Sequence, residues 1–170
     1  MPQALKTARW QYFYNQGAKM KISLGTDHAG FSIKDKVSDF LKSLGHEVID
    51  YGTNSSESCD YPDFAHKVAS DVSENKSQKG VLICGTGIGM CIAANKVPNI
   101  RAGVCWNKET ARLISLHNNA NIICVGARFA SVEEICERLQ IFLETKFEER
   151  HINRINKITG IEKKYCKNSK

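Results

Sequence analysis

Five short apolar runs, each followed by an amphipathic stretch long enough for a helix, restrict the fold more than any other feature of this chain. The runs cover 21–26, 46–51, 80–84, 101–106 and 121–125. Each is short, rich in β-branched residues and bounded by Gly, Asn or Asp, as buried parallel strands are. Phe31, Val37, Phe40, Leu41 and Leu44 form one helical stripe, and Phe64, Val68 and Val72 a second. Residues 87–97 read as a third helix, and 108–117 as a fourth behind Asn107, a side chain suited to an N-cap. The fifth opens at Ser131 with Glu134 three residues on, a capping box, and turns Val132, Ile135, Leu139, Phe142 and Leu143 inward. A sixth, weaker helix is expected over 152–161. Such alternation predicts a parallel five-stranded sheet with helices on both faces, a Rossmann-like three-layer α/β/α sandwich.

At 170 residues and 19.0 kDa the chain has room for one domain of this kind. Hydrophobic residues are 42% and charged ones 25%, which suits a folded core. No apolar run approaches the roughly 20 residues that span a bilayer, so no membrane role is expected. The seven cysteines include no CxxC pair. They are expected to be thiols in a reducing compartment, the cytoplasm, with neither a disulfide framework nor a metal site. The net charge of +6 lies at the ends: residues 1–20 contribute +3 and 146–170 contribute +5, leaving −2 for 21–145. A nucleic-acid face on the body is therefore disfavoured. Residues 1–19 lack the apolar centre of a secretory signal, and Met20-Lys-Ile-Ser resembles a start, so 1–19 are expected to be an extension without fixed structure. The domain is then 20–160, followed by a basic tail at 161–170.

In parallel α/β sheets, ligands bind beyond the carboxyl ends of the strands. The first such loop carries Asp27 and His28, placed either to face a ligand or, for Asp27, merely to cap the next helix. The third loop, Cys84-Gly85-Thr86-Gly87-Ile88-Gly89, is the sharpest signal. It is neither a dinucleotide fingerprint, since Met90 stands where the last glycine would be, nor a P-loop. It presents a cysteine and a threonine over a helix N-terminus, whose dipole and N–H groups favour thiolate over thiol. Cys105 and Cys124 read as core thiols. His117 and Asn118 close the fourth helix, Arg128 leaves the fifth strand, and Arg150, His151 and Arg154 follow the fifth helix. The 150/154 spacing would put both arginines on one helical face, either a fork for phosphate or a solvated basic surface.

Taken together these segments resemble the type B ribose-5-phosphate isomerase family, which also includes galactose-6-phosphate isomerase. The resemblance rests on GTDHAGF at 25–31, DYPDFA at 60–65, LICGTGIGMCIAANK at 82–96, IRAGVC at 100–105, HNNAN at 117–121, GAR at 126–128 and RHINRI at 150–155. It implies a cofactor-free, metal-free isomerase of the pentose phosphate pathway, interconverting D-ribose 5-phosphate and D-ribulose 5-phosphate. Cys84 would be the general base. Thr86 and the amides around Gly85, Gly87 and Gly89 would stabilise the enediolate. His117 would open the furanose ring, with Asn118 beside it. Asp27 and His28 would contact the sugar, Tyr61 would line the pocket, and Arg128, Arg150 and Arg154, with His151, would hold the phosphate. The resemblance also implies a homodimer with shared sites, with tetramers left open. A hexose-6-phosphate isomerase and a phosphosugar-binding domain without activity are the alternatives.

Topology adds one expectation of its own. The fourth helix should start at the ligand edge of the sheet and run back, so His117, about ten residues along, lies roughly 15 Å from that edge. A site using both Cys84 and His117 then needs two subunits.

Overall fold

The computed structural model describes residues 19–166, so residues 1–18 of the expected extension at 1–19, and 167–170 of the basic tail, lie outside the described residues. Five strands form one parallel sheet: β1 (Lys21–Thr26), β2 (Glu47–Asp50), β3 (Lys79–Cys84), β4 (Ala102–Cys105) and β5 (Ile122–Gly126). They lie in the order β2-β1-β3-β5-β4. The helices are α1 (Phe31–Ser43), α2 (Tyr61–Ser73), α3 (Ile88–Ala94), α4 (Lys108–Leu116), α5 (Val132–Glu144) and α6 (Ile152–Tyr165). The two edge strands are shorter than their apolar runs, because each pairs on one side only. β2 stops at Asp50, whose carboxylate accepts the Gly52 N–H at 2.7 Å and turns the chain away. Helix α6 passes Gly160 and runs on to Tyr165. Glu162 within it accepts the Asn99 N–H at 2.8 Å, and Lys163 and Lys164 sit in its last turn, where cations are favoured.

Strand alternation divides the core in two. Val81 and Ile83 of β3 and Ile123 and Val125 of β5 join α1, α4 and α5 on one face, through Val37, Leu41, Ala111, Ile135, Leu139 and Phe142. Leu82, Cys84, Ile122 and Cys124 point the other way, onto Ala65, Val68 and Ala69 of α2 and Met90 and Ala94 of α3. Val132 and Leu143 of the fifth stripe are only half-buried. Both caps read from sequence form: Asn107 accepts the Thr110 N–H, and Ser131 and Glu134 close a reciprocal box. Helix α2 is further pinned by polar contacts. Buried Asp71 accepts from the Ser23 hydroxyl at 3.0 Å and from the Tyr51 hydroxyl at 2.7 Å, and Ser23 also pairs with Ser77. Among the described residues no helix is long and apolar enough to cross a membrane.

The chain leaves β1 toward β2 on one side and returns to β3 on the other, so strand order reverses between β1 and β3. At that reversal the Asp27 N–H donates to the Ile83 carbonyl at 3.2 Å, which brings the loops after β1 and β3 together. The turn from β3 into α3 depends on Gly87, which has φ +80°. A Cβ there would lie 3.0 Å from the Val125 carbonyl carbon. Gly87→Ala is therefore expected to lose about 1–2 kcal/mol of stability from the left-handed backbone alone. Urea unfolding measures this, and an unchanged midpoint would mean that the turn tolerates a side chain.

Candidate active site

Cys84 ends β3 and is 5% exposed. The Gly87 N–H donates to its Sγ at 3.1 Å and fixes the sulfur over the glycine turn. Thr86 Oγ1 accepts the Ile88 N–H at 3.1 Å, which leaves the hydroxyl proton free to donate to an oxyanion. Strand β5 holds this loop from beside it: Ala127 N–H donates to the Cys84 carbonyl at 2.8 Å and Arg128 N–H to Gly85 at 3.2 Å. The Arg128 side chain then lies over Gly85, where a Cβ would come within 3.3 Å of its Cζ. Gly89 makes room for the ring of Tyr61, the first residue of α2; a Cβ on Gly89 would be 2.6 Å from the Tyr61 Cζ. Tyr61 thus stands beside the loop while remaining 39% exposed.

Asp27 and His28 join from β1. Asp27 does not cap α1, whose N-cap is Gly30; its carboxylate turns back to accept the Ala29 N–H at 2.9 Å. His28 Nδ1 accepts the Cys59 N–H at 3.3 Å, so in the neutral ring Nε2 carries the proton. Asp27, His28, Tyr61, Cys84, Thr86 and Arg128 therefore gather at the carboxyl edge of the sheet, around the reversal of strand order.

The remaining candidates stand at the opposite edge. Helix α4 begins at Asn107, just past the end of β4. It ends at His117, two residues before Asn119, whose carbonyl accepts from Arg101 Nε at 2.9 Å at the start of β4. The His117 and His151 rings pack with centroids 4.4 Å apart. The segment carrying His151 is held there because the Glu148 N–H donates to the Leu116 carbonyl at 2.9 Å. Glu148 also accepts from Arg150 Nε at 2.6 Å, which holds its carboxyl below the usual range. Arg154 donates to His151 Nδ1, so the neutral ring carries its proton on Nε2. That Nε2 is buried without a hydrogen-bond partner, 3.7 Å from Glu148. Burial, followed by the charges of Arg150, His117 and Arg154, lowers the His151 pKa.

One expectation changes. Arg150 and Arg154 are not a pair on one regular helix, because Arg150 lies in a separate 3-10 turn, Glu149–His151, before α6. Asn118 lines a groove of about 280 Å³ with Arg101, Ile114 and Ile158, between β4 and α6. Ligand atoms of His117, Glu148 and His151 lie within 4.8 Å of one another, a grouping that spacing in the sequence does not show. Glu148 and Cys59 escaped the sequence reading. Glu148 sits three residues before His151, and only the fold brings that segment against His117.

Residues 22–158 match the profile of the Ribose/Galactose Isomerase family. Ribose-5-phosphate isomerase B of Escherichia coli is 42% identical over 145 residues, covering 85% of this chain and 97% of that protein. The structure of ribose-5-phosphate isomerase B from Clostridium thermocellum has a TM-score of 0.83 and 48% identity, over 86% of this chain and 99% of that one. The Mycoplasma genitalium enzyme with bound ribulose-5-phosphate has a TM-score of 0.81 and 40% identity, over 84% of this chain and 96% of that one. With sheet, helices and sequence matched over this length, the chain belongs to the Ribose/Galactose Isomerase family.

Proposed function

We propose that this protein interconverts D-ribose 5-phosphate and D-ribulose 5-phosphate, a step of the pentose phosphate pathway, by proton transfer through an enediolate. The observation that carries the reading is Cys84, held by the Gly87 N–H at 3.1 Å beside Thr86 and near Arg128. An aldose–ketose exchange needs a base to move one proton between C2 and C1, donors for the oxyanion, an acid for ring opening and an anchor for the phosphate. Cys84 serves as the base. Thr86 and the amides of the glycine turn face the enediolate, and Asp27, His28 and Tyr61 bind the sugar. His117 protonates the ring oxygen, with Asn118 beside it, and Arg128, Arg150, His151 and Arg154 take the phosphate. One chain holding both Cys84 and His117 favours the pentose substrate over the hexose one.

The active unit is a homodimer in which His117 and the tail arginines of one subunit complete the Cys84 site of the other. Two observations support this: the opposite placement of the two groups, and the apolar surface that flanks each. Ile88 and Ile92 of α3 are 44% and 58% exposed, next to the Cys84 loop. Ile158 and Ile161 of α6 are 45% and 63% exposed, beyond Arg154. A two-fold axis can bury both surfaces and close two identical sites. The seven free thiols support a reducing, cytoplasmic setting.

Cys84→Ser is expected to keep fold and substrate binding while losing about 10²–10⁴-fold in kcat, the usual share of a general base. Ketose formation from ribose 5-phosphate reads this, and retention of a tenth of the rate would place the base elsewhere. Arg154→Ala should raise KM about tenfold or more, since a charge-assisted contact contributes about 1.5–3 kcal/mol. Lysine at 154 should restore only part, because it lacks the planar fork. Finally, Cys84→Ala and His117→Ala homodimers should each be nearly inactive. Their co-refolded heterodimer has one doubly altered site and one intact site, and should recover about half the wild-type rate. No recovery would place both residues in a site within one chain.

A further inference from the structure

His117, Glu148 and His151 offer two imidazoles and one carboxylate, the donor set that suits zinc and its neighbours in the first transition row. Their ligand atoms lie within 4.8 Å of one another, so some point lies within about 2.8 Å of all three (4.8 divided by √3). Zinc bonds to such donors are about 2.0–2.2 Å, so shifts below about 1 Å per side chain would close the site. The backbone brace from Glu148 to Leu116 and the packed rings already hold the three together. A second observation points the same way. His151 is 4% exposed, and its Nε2, on the side of Glu148, is buried with no hydrogen-bond partner. A buried polar atom of this kind is costly unless something occupies its lone pair or accepts its proton.

We infer that His117, Glu148 and His151 form an inhibitory site for a borderline divalent cation, with Zn²⁺ as the fitting ion. Binding needs one rearrangement. The Arg154 contact keeps the His151 proton on Nε2, so zinc enters as that proton moves to Nδ1 and Arg154, which is solvent-exposed, swings away. No net proton is released by His151, and no oxidant or reductant takes part. Zinc and the Arg154–His151 contact are therefore mutually exclusive. Zinc binding stands on geometry alone. Inhibition rests in addition on the proposed role of His117 in ring opening, because coordination ties up the His117 imidazole.

The two parts are tested separately on the full-length protein. Zinc binding is followed by competition with a chromophoric chelator, and isomerisation by ketose formation, with Mg²⁺, which prefers oxygen ligands, as the control. One zinc per chain is expected. Glu148→Gln should weaken it about tenfold or more, since removing a ligand costs at least what losing an outer-shell support does. His151→Asn should do the same, and Glu148→Gln covers the case in which the buried His151 variant misfolds. Arg154→Ala should tighten zinc, since it removes both a cation and the competing contact. Cys84→Ser and Cys166→Ser should leave the affinity unchanged. Zinc should suppress turnover reversibly, chelator restoring it, and Mg²⁺ should not. Affinity indifferent to Glu148→Gln and Arg154→Ala, or lost with either cysteine, would overturn the site. Tight binding at the site with turnover untouched would leave the site standing and remove the role assigned to His117.

Discussion

Strand β3 is hydrogen-bonded on both flanks, to β1 from Ile22↔Lys79 through Thr26↔Ile83 and to β5 from Gly80↔Ile122 through Cys84↔Gly126. The β5 ladder reaches Cys84 itself and the β1 ladder stops one residue before it, so Cys84 cannot slide without breaking the sheet. The same ladders deliver the neighbours. β1 ends where Asp27 and His28 begin, and β5 ends where Arg128 begins, so three loops emerge side by side from one backbone register. Gly87 and Gly126 then let α3 start close against β5, within van der Waals distance of its backbone. The chemistry of the loop is thus set by backbone pairing, while the core side chains below it supply the stability.

The second half of the proposed site is built on different physics. No strand places His117 or His151. They are joined by the Glu148–Leu116 backbone contact and by ring packing, beside a helix with Ile155 as its one buried residue among the described ones. Such a segment has few apolar contacts to hold it, so its geometry depends on what covers Ile158 and Ile161. The chain thus has a strongly determined half and a weakly determined one, and in the proposed homodimer the second copy would supply the missing constraint.

This difference also explains what was legible beforehand. Periodicity and turn chemistry reveal strands and caps because those are local: the five runs, the Asn107 cap and the Ser131–Glu134 box all follow from neighbours in sequence. Edge-strand lengths did not, because they depend on which strand has one partner. The Cys84 loop was readable, since a glycine turn between strand and helix carries its meaning within six residues. The contact of Glu148 with His151 and His117 was not, because it joins the end of one helix to a turn thirty residues on. Likewise the arginine spacing suggested a helical fork, but the intervening 3-10 turn changes the rise and rotation between Arg150 and Arg154.

The polar anchor of α2 has a consequence at a distance. A helix held only by apolar side chains can shift along its axis by a fraction of a turn at little cost, because one methyl group replaces another. Asp71 forbids this, since its buried carboxylate would leave the hydroxyls of Ser23 and Tyr51 unmatched if it moved. Ten residues earlier, roughly 15 Å along the rod, the same helix begins with Tyr61 against Gly89. The buried carboxylate acts as a fixed bearing at one end of a stiff shaft. The position of the Tyr61 ring beside the Cys84 loop is thereby set from the other end of its helix, by Asp71, Ser23 and Tyr51.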